Sequence, residues 1–137
     1  MRVLGIDYGQ VRIGLAMTDP EGRMAFARPA LKRTTRDALF AALAALVEAE
    51  GVEAVVVGLP LTLDGEDSLT TRQARNFAES LARRITAPVH LMDERLSSAA
   101  AQAQLKEAGL CSRKMKSRLD SQAAVQILET WIGQNPA

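Results

Sequence analysis

One cysteine, Cys111, and one histidine, His90, occur in the 137 residues of this chain. A lone cysteine excludes an internal disulfide and fits a reducing compartment. Cys111 stands in no metal-ligand or triad spacing. His90 falls inside a short apolar segment and reads as structural, not as a general base. Aromatic residues make up only 4% of the chain, so stacking on unpaired bases is limited to Tyr8 and Phe26. No apolar run approaches the roughly 20 residues needed to span a bilayer. The polar Asp7-Tyr8-Gly9 interrupts the apolar start, so no secretory pattern is present. The expectation is a soluble cytoplasmic protein. An excess of one charge is also missing, with 17 basic against 16 acidic residues, so net charge by itself points to no polyanion.

There is enough apolar residue for a core, at 47% of the chain. No linker, repeat or low-complexity tract divides it, and residues 1–137 read as one domain. Apolar runs and turn residues predict strands at Arg2–Asp7, Arg12–Thr18 and Met24–Leu31, the last after the Pro20-Glu21-Gly22 turn. Thr34 with Asp37 is the expected cap pair of a helix that Gly51 ends. Ala54–Val57 reads as a buried strand stopped by Gly58 and Pro60. Thr70 with Gln73 is expected to cap a second helix, and Pro88–Met92 to form a strand ending at Asp93-Glu94. Ser97 or Ser98 opens an alanine-rich helix that stops at Gly109, and Arg118–Ile132 is the last helix. Three meandering strands followed by helical crossovers predict an α/β fold. Its five-stranded sheet is mixed, antiparallel then parallel, with helices on both faces.

Acids occupy three unusual places. Asp7 closes the first apolar run, at the rim where sites form outside the carboxyl ends of central strands. It reads either as a metal ligand or as an acid that hydrogen-bonds the following turn. Asp93 and Glu94 end a later strand, and adjacent strand residues point to opposite faces. Asp120 shares a helical stripe with Ala124, Ile127, Leu128 and Trp131, which should face the sheet. It reads as a ligand or as the acid of a Ser117-x-x-Asp120 capping box. Three carboxylates gathered by folding would suit a hard divalent cation. A basic run, Arg113, Lys114, Lys116 and Arg118, leads directly to Asp120, as phosphate-backbone binding requires. Arg12 is a weaker candidate of the same kind. Asp64, Glu66 and Asp67 read as a solvated loop.

Four ordered segments resemble the YqgF family, a branch of the ribonuclease H-like nucleases related to Holliday-junction resolvases. They are Gly5-Ile6-Asp7-Tyr8-Gly9 with Arg12-Ile13-Gly14-Leu15-Ala16, then Gly58-Leu59-Pro60-Leu61 with Asp64-Gly65. Next come Asp93-Glu94-Arg95-Leu96-Ser97, and last Asp120 with Ala123-Ala124 and Ile127-Leu128. The resemblance implies a ribonuclease H-like domain that hydrolyses nucleic-acid phosphodiesters with Mg²⁺ or Mn²⁺, leaving a 5′ phosphate and a 3′ hydroxyl. It implies Asp7, Glu94 and Asp120 as catalytic ligands. Beside them, Asp93 reads as a support for Glu94 or as a residue of the neighbouring turn, and Arg95 as a plain ion pair or a contact to phosphate. Related resolvases place an acid near the end of the strand that here ends in Gly58, and Glu94 would have to substitute for it. The expected role is 5′-end maturation of small-subunit ribosomal RNA precursors. A junction resolvase, which should be a homodimer, and a non-catalytic nucleic-acid binding module are the alternatives.

Overall fold

The computed structural model describes residues 1–9, 11–60, 68–93 and 113–134, with side chains of the last helix described from Ser121 onward. Eight elements follow in chain order. The strands are β1 (Val3–Tyr8), β2 (Arg12–Thr18), β3 (Ala25–Lys32), β4 (Ala54–Leu59) and β5 (Val89–Asp93). The helices are α1 (Arg36–Ala49), α2 (Leu69–Ala82) and α3 (Arg113–Gln134). The sheet order is β3-β2-β1-β4-β5. β1 pairs antiparallel with β2 and parallel with β4, and β5 continues in parallel from β4. The mixed five-stranded sheet expected from the sequence is therefore present, with β1 at its centre.

Strand alternation assigns the two faces. Leu4 and Ile6 of β1 and Val55 and Val57 of β4 pack with Leu39, Phe40 and Leu43 of α1 and Phe77 and Leu81 of α2. Val3 and Val56 pack on the opposite side with Ala124, Val125, Ile127 and Leu128 of α3. A strand covered on both faces has no need of polar alternation, which is why β1 and β4 read as continuous apolar runs. All six residues of β4 are buried. The strand also runs through Gly58 and Leu59, which pair with Met92 and Asp93. Gly58 thus does not stop it, because hydrogen bonds from β5 outweigh the glycine's weak strand preference.

β3 is an edge strand, and it tolerates Pro29 at a register irregularity between Ile13 and Leu15 of β2. The Arg28 carbonyl there accepts a 2.6 Å hydrogen bond from the Ser121 hydroxyl, tying α3 to this edge. The turn before β3 is organised by Asp19, whose carboxylate accepts the Arg23 and Met24 amides. The Arg23 bond is the main cause holding the Asp19 carboxyl below its usual range.

Helix boundaries differ from the sequence expectation by small, explicable steps. Thr35, not Thr34, caps α1, accepting the Ala38 amide. Ser68, not Thr70, caps α2 in a reciprocal box with Thr71. The Thr71 hydroxyl also donates to the Pro60 carbonyl, a tertiary anchor that local sequence does not reveal. Gly51 takes a positive φ of 64° after α1, as expected of a helix-terminating glycine. The α3 helix starts at Arg113, five residues before the expected Arg118. Arg, Lys and Met are good helix formers, so the basic run extends the helix instead of forming a loop.

Glu50, after α1, meets Arg2 at 3.0 Å and Arg28 at 3.5 Å, all three side chains being partly exposed. Such screened pairs contribute little. Glu50→Gln should lower unfolding free energy by less than ~1 kcal/mol, read by urea denaturation. A larger loss would show that the network is a structural anchor.

Candidate active site

Asp7 lies one residue before the end of β1, opposite Gly14 of β2. It is half-buried. Val3 packs on the α3 face, and an ideal Cβ on Gly5 would sit 2.5 Å from Leu128 Cγ of α3. Alternation therefore places Asp7 on the α3 face as well. The facing residue Gly14 has no side chain. Ile6 pairs with Val57, so the next position on β4 is Gly58, again without a side chain. No acid stands at that place, as the sequence already indicates.

α3 crosses this face antiparallel to β1. Ser121 reaches Arg28, in the row of Leu15 and Ile6. Trp131 lies 5.9 Å from His90, which belongs to the row of Val56 and Gly5. Glu129 and Ile132 border Met24 and Ala25, at the far end of β3. The early turns of α3 thus approach the carboxyl end of β1. Residue 120 is one turn before Ala124, whose carbonyl oxygen would lie 3.1 Å from a Gly5 Cβ. The stripe expected to face the sheet does so at Ala124, Ile127 and Leu128, all fully buried. Because α3 begins at Arg113, Ser117 lies inside the helix, and the capping-box alternative for Asp120 falls. The Asp120 side chain itself is outside the described residues.

The other sequence candidates sort by face. Arg12 starts β2 and alternates with Ile13, so it stands on Asp7's side of the sheet. Asp93 ends β5 opposite Leu59, and alternation from Met92, packed on the α3 side, puts it on the α1/α2 side, away from Asp7. Arg113, Lys114, Lys116 and Arg118 occupy the first two turns of α3. Glu94, Arg95, the alanine-rich helix, Cys111 and the Asp64–Asp67 loop lie outside the described residues. His90 is exposed on β5 against Trp131 and far from a base's position beside Asp7.

A half-buried carboxylate, fixed by strand backbone and flanked by glycines, offers oxygen donors of the kind that hard cations prefer. Among the described residues no three such ligands are gathered. The remaining two expected ligands, Glu94 and the Asp120 side chain, are outside that set. A cleft that sequence reasoning missed opens at the same rim on the opposite face, between Tyr8, the start of α1 and the middle of α2.

Comparisons with known proteins agree with this architecture. A protein of Maridesulfovibrio salexigens named "Putative pre-16S rRNA nuclease" is 59% identical over 98% of this chain and 99% of its own length. One of the same name from Nitratidesulfovibrio vulgaris is 54% identical over 96% of this chain and 93% of its own. Among solved structures, Thermus thermophilus RuvC in complex with a Holliday junction substrate has a TM-score of 0.59 at 18% identity, covering 98% of this chain and 95% of that one. The Fowlpox virus resolvase with Holliday junction DNA has a TM-score of 0.60 at 7% identity, covering 100% of both chains. These two likenesses establish the ribonuclease H-like fold of the resolvases and nothing finer. The model of the RuvX family, described as Holliday junction resolvases, matches residues 1–134, and the chain belongs to that family, the one its YqgF-like motifs indicate.

Proposed function

We propose that this chain is a divalent-metal nuclease that cuts phosphodiesters of the small-subunit ribosomal RNA precursor, working in the cytoplasm. The observation that carries the reading is the convergence on one rim. Asp7 stands at the carboxyl end of the central strand, and Ala124, one turn after residue 120 in α3, packs on Gly5, two residues before Asp7 on the same face, which supports the approach of Asp120 to that end. Asp7, Glu94 and Asp120 would hold one or two Mg²⁺ or Mn²⁺ ions. A divalent cation there supplies charge stabilisation at the scissile phosphate and lowers the pKa of attacking water. Asp7, on strand backbone, sets the ligand position rigidly. Arg12 on the same face and the basic first turns of α3 bind the flanking phosphates and align the strand. Arg95 supports the phosphate side.

RNA is preferred as substrate because relatives above half identity over nearly the whole chain carry the pre-16S name. The family description favours four-way DNA instead. A resolvase would need two copies related by a two-fold axis to make paired cuts. Labelled ribosomal precursor RNA and a four-way junction, incubated with Mg²⁺, Mn²⁺ or EDTA, separate the readings. Cutting of the precursor, lost in EDTA, is the expected result. Preferential junction cutting by a dimer would replace it with resolution. Binding of both substrates without cutting in any metal would leave a binding module.

The basic turns give a second expected result. Replacing Lys114 and Lys116 with Gln should weaken RNA binding and reduce the slope of log affinity against log salt by about 1 for each phosphate no longer neutralised. An unchanged slope in a filter-binding titration would remove these lysines from the interface.

A further inference from the structure

We propose that the cleft on the α1/α2 side of the sheet is a nucleotide pocket that takes one unpaired nucleotide of the strand being cut. The pocket has a volume of about 330 Å³, at the small end of the range for small-molecule sites. Its described lining includes Arg33 and Arg36 and no acidic residue. Arg36 Nη2 donates to the Ser80 hydroxyl at 2.6 Å, and its guanidinium carbon lies 5.5 Å from the Phe40 ring centre. That bond uses one of five donors. Arg84 covers the same ring at 4.4 Å, and Arg83 reaches the same hydroxyl at 3.2 Å. Among the described residues no carboxylate pairs with Arg36, Arg83 or Arg84. Of these three, Arg36 lines the cleft, and with donors to spare beside the α1 N-terminus capped by Thr35 it favours a phosphate.

The remaining walls suit the rest of a nucleotide. Tyr8 and Phe40 flank Phe77 with ring centres 5.2 and 5.4 Å away, giving an aromatic floor. Gln73 and Asn76 bring carboxamides, which both donate and accept and so can address a base edge. Inorganic anions alone would leave the aromatic floor and the Asn76 carboxamide without a contact. The occupant is a nucleotide of the substrate strand because Tyr8 directly follows Asp7. The two side chains flank one rim from opposite faces, so a strand crossing that rim from Asp7 meets the pocket next. This last step rests on the nuclease reading. The anion-plus-base pocket does not.

The test is done in EDTA, so that no cutting enters it. Amide NMR signals of Tyr8, Arg36 and Asn76 are followed while adenosine or uridine 5′-monophosphate, inorganic phosphate, or a short single-stranded RNA is added. Saturable shifts with the nucleotides are expected, with phosphate about tenfold weaker and the RNA tighter at the same residues. Arg36→Gln should weaken nucleotide binding about tenfold. Exposed Asn76→Ala, which should fold normally, should change the preference between adenine and uracil. No saturable shift, or phosphate binding as tightly as the nucleotides, would overturn the pocket. Shifts with free nucleotides but none with RNA would overturn strand docking. A failed cleavage assay would sink the nuclease reading and leave these titrations interpretable.

Discussion

Asp7→Asn should abolish metal-dependent cutting while leaving the fold and RNA binding in place. Asn matches Asp in size but loses the charge and one strong acceptor, so the strand need not move. Even outer partners of metal ligands cost 10- to 100-fold when lost, so losing a ligand should lower the cleavage rate by at least ~10²-fold. If folding assembles the ligand set, Mn²⁺ should raise the melting temperature of the wild type, and this rise should shrink in the variant. Asp93→Asn is the internal control. Asp93 stands on the opposite side of the sheet by alternation and should lose far less activity. If Asp7 only hydrogen-bonds its turn, Asp7→Asn would keep cutting and would instead lower stability. Unaltered cutting by Asp7→Asn would therefore remove Asp7 from the site.

Much of this arrangement is legible in the residues, for particular reasons. β1 and β4 stand out because helices cover both of their faces, which turns each into an unbroken apolar run. The β2–β3 meander is marked by Pro20-Glu21-Gly22 and the Asp19 turn, whose chemistry is local. Asp7 is conspicuous because a carboxylate at the end of an apolar run is taken partly out of water. What escapes the sequence is settled by tertiary partners. The cap of α2 goes to Ser68 because Thr71 is engaged by Pro60, in another segment. Gly58 stays in its strand because β5 pairs with it. The start of α3 is hidden because a basic run looks solvated, although its residues favour helix. The arginine pocket is the least legible feature. Tyr8, Arg36 and Asn76 are far apart in sequence, and only the packing of α1 on α2 brings them together.

Gly5→Ala is expected to be strongly damaging, although it adds one methyl group. That methyl would lie 2.5 Å from Leu128 Cγ and 3.1 Å from the Ala124 carbonyl oxygen. Leu128 is fully buried, and Ala124 is helix backbone, so neither can swing aside. Overpacking of this kind costs roughly 1–3 kcal/mol. Leu128→Ala alone should cost ~2–5 kcal/mol through the cavity it leaves. Combining them puts the new methyl beside the vacated space, so the double variant should destabilise less than the sum, by about 0.5–3 kcal/mol. Strict additivity in urea unfolding would show that α3 does not seat on Gly5. Function should respond more sharply than stability. If α3 lifts to admit the methyl, its early turns, with Asp120, shift relative to Asp7, and a ~1 Å misplacement can cost ~10²-fold in rate. Gly5→Ala protein that is still folded at the assay temperature should therefore cut far more slowly than its folded fraction predicts, and Leu128→Ala should restore part of that rate. Close contact between strand and helix would then be what sets the spacing of the acids, and Gly5 the residue that permits it.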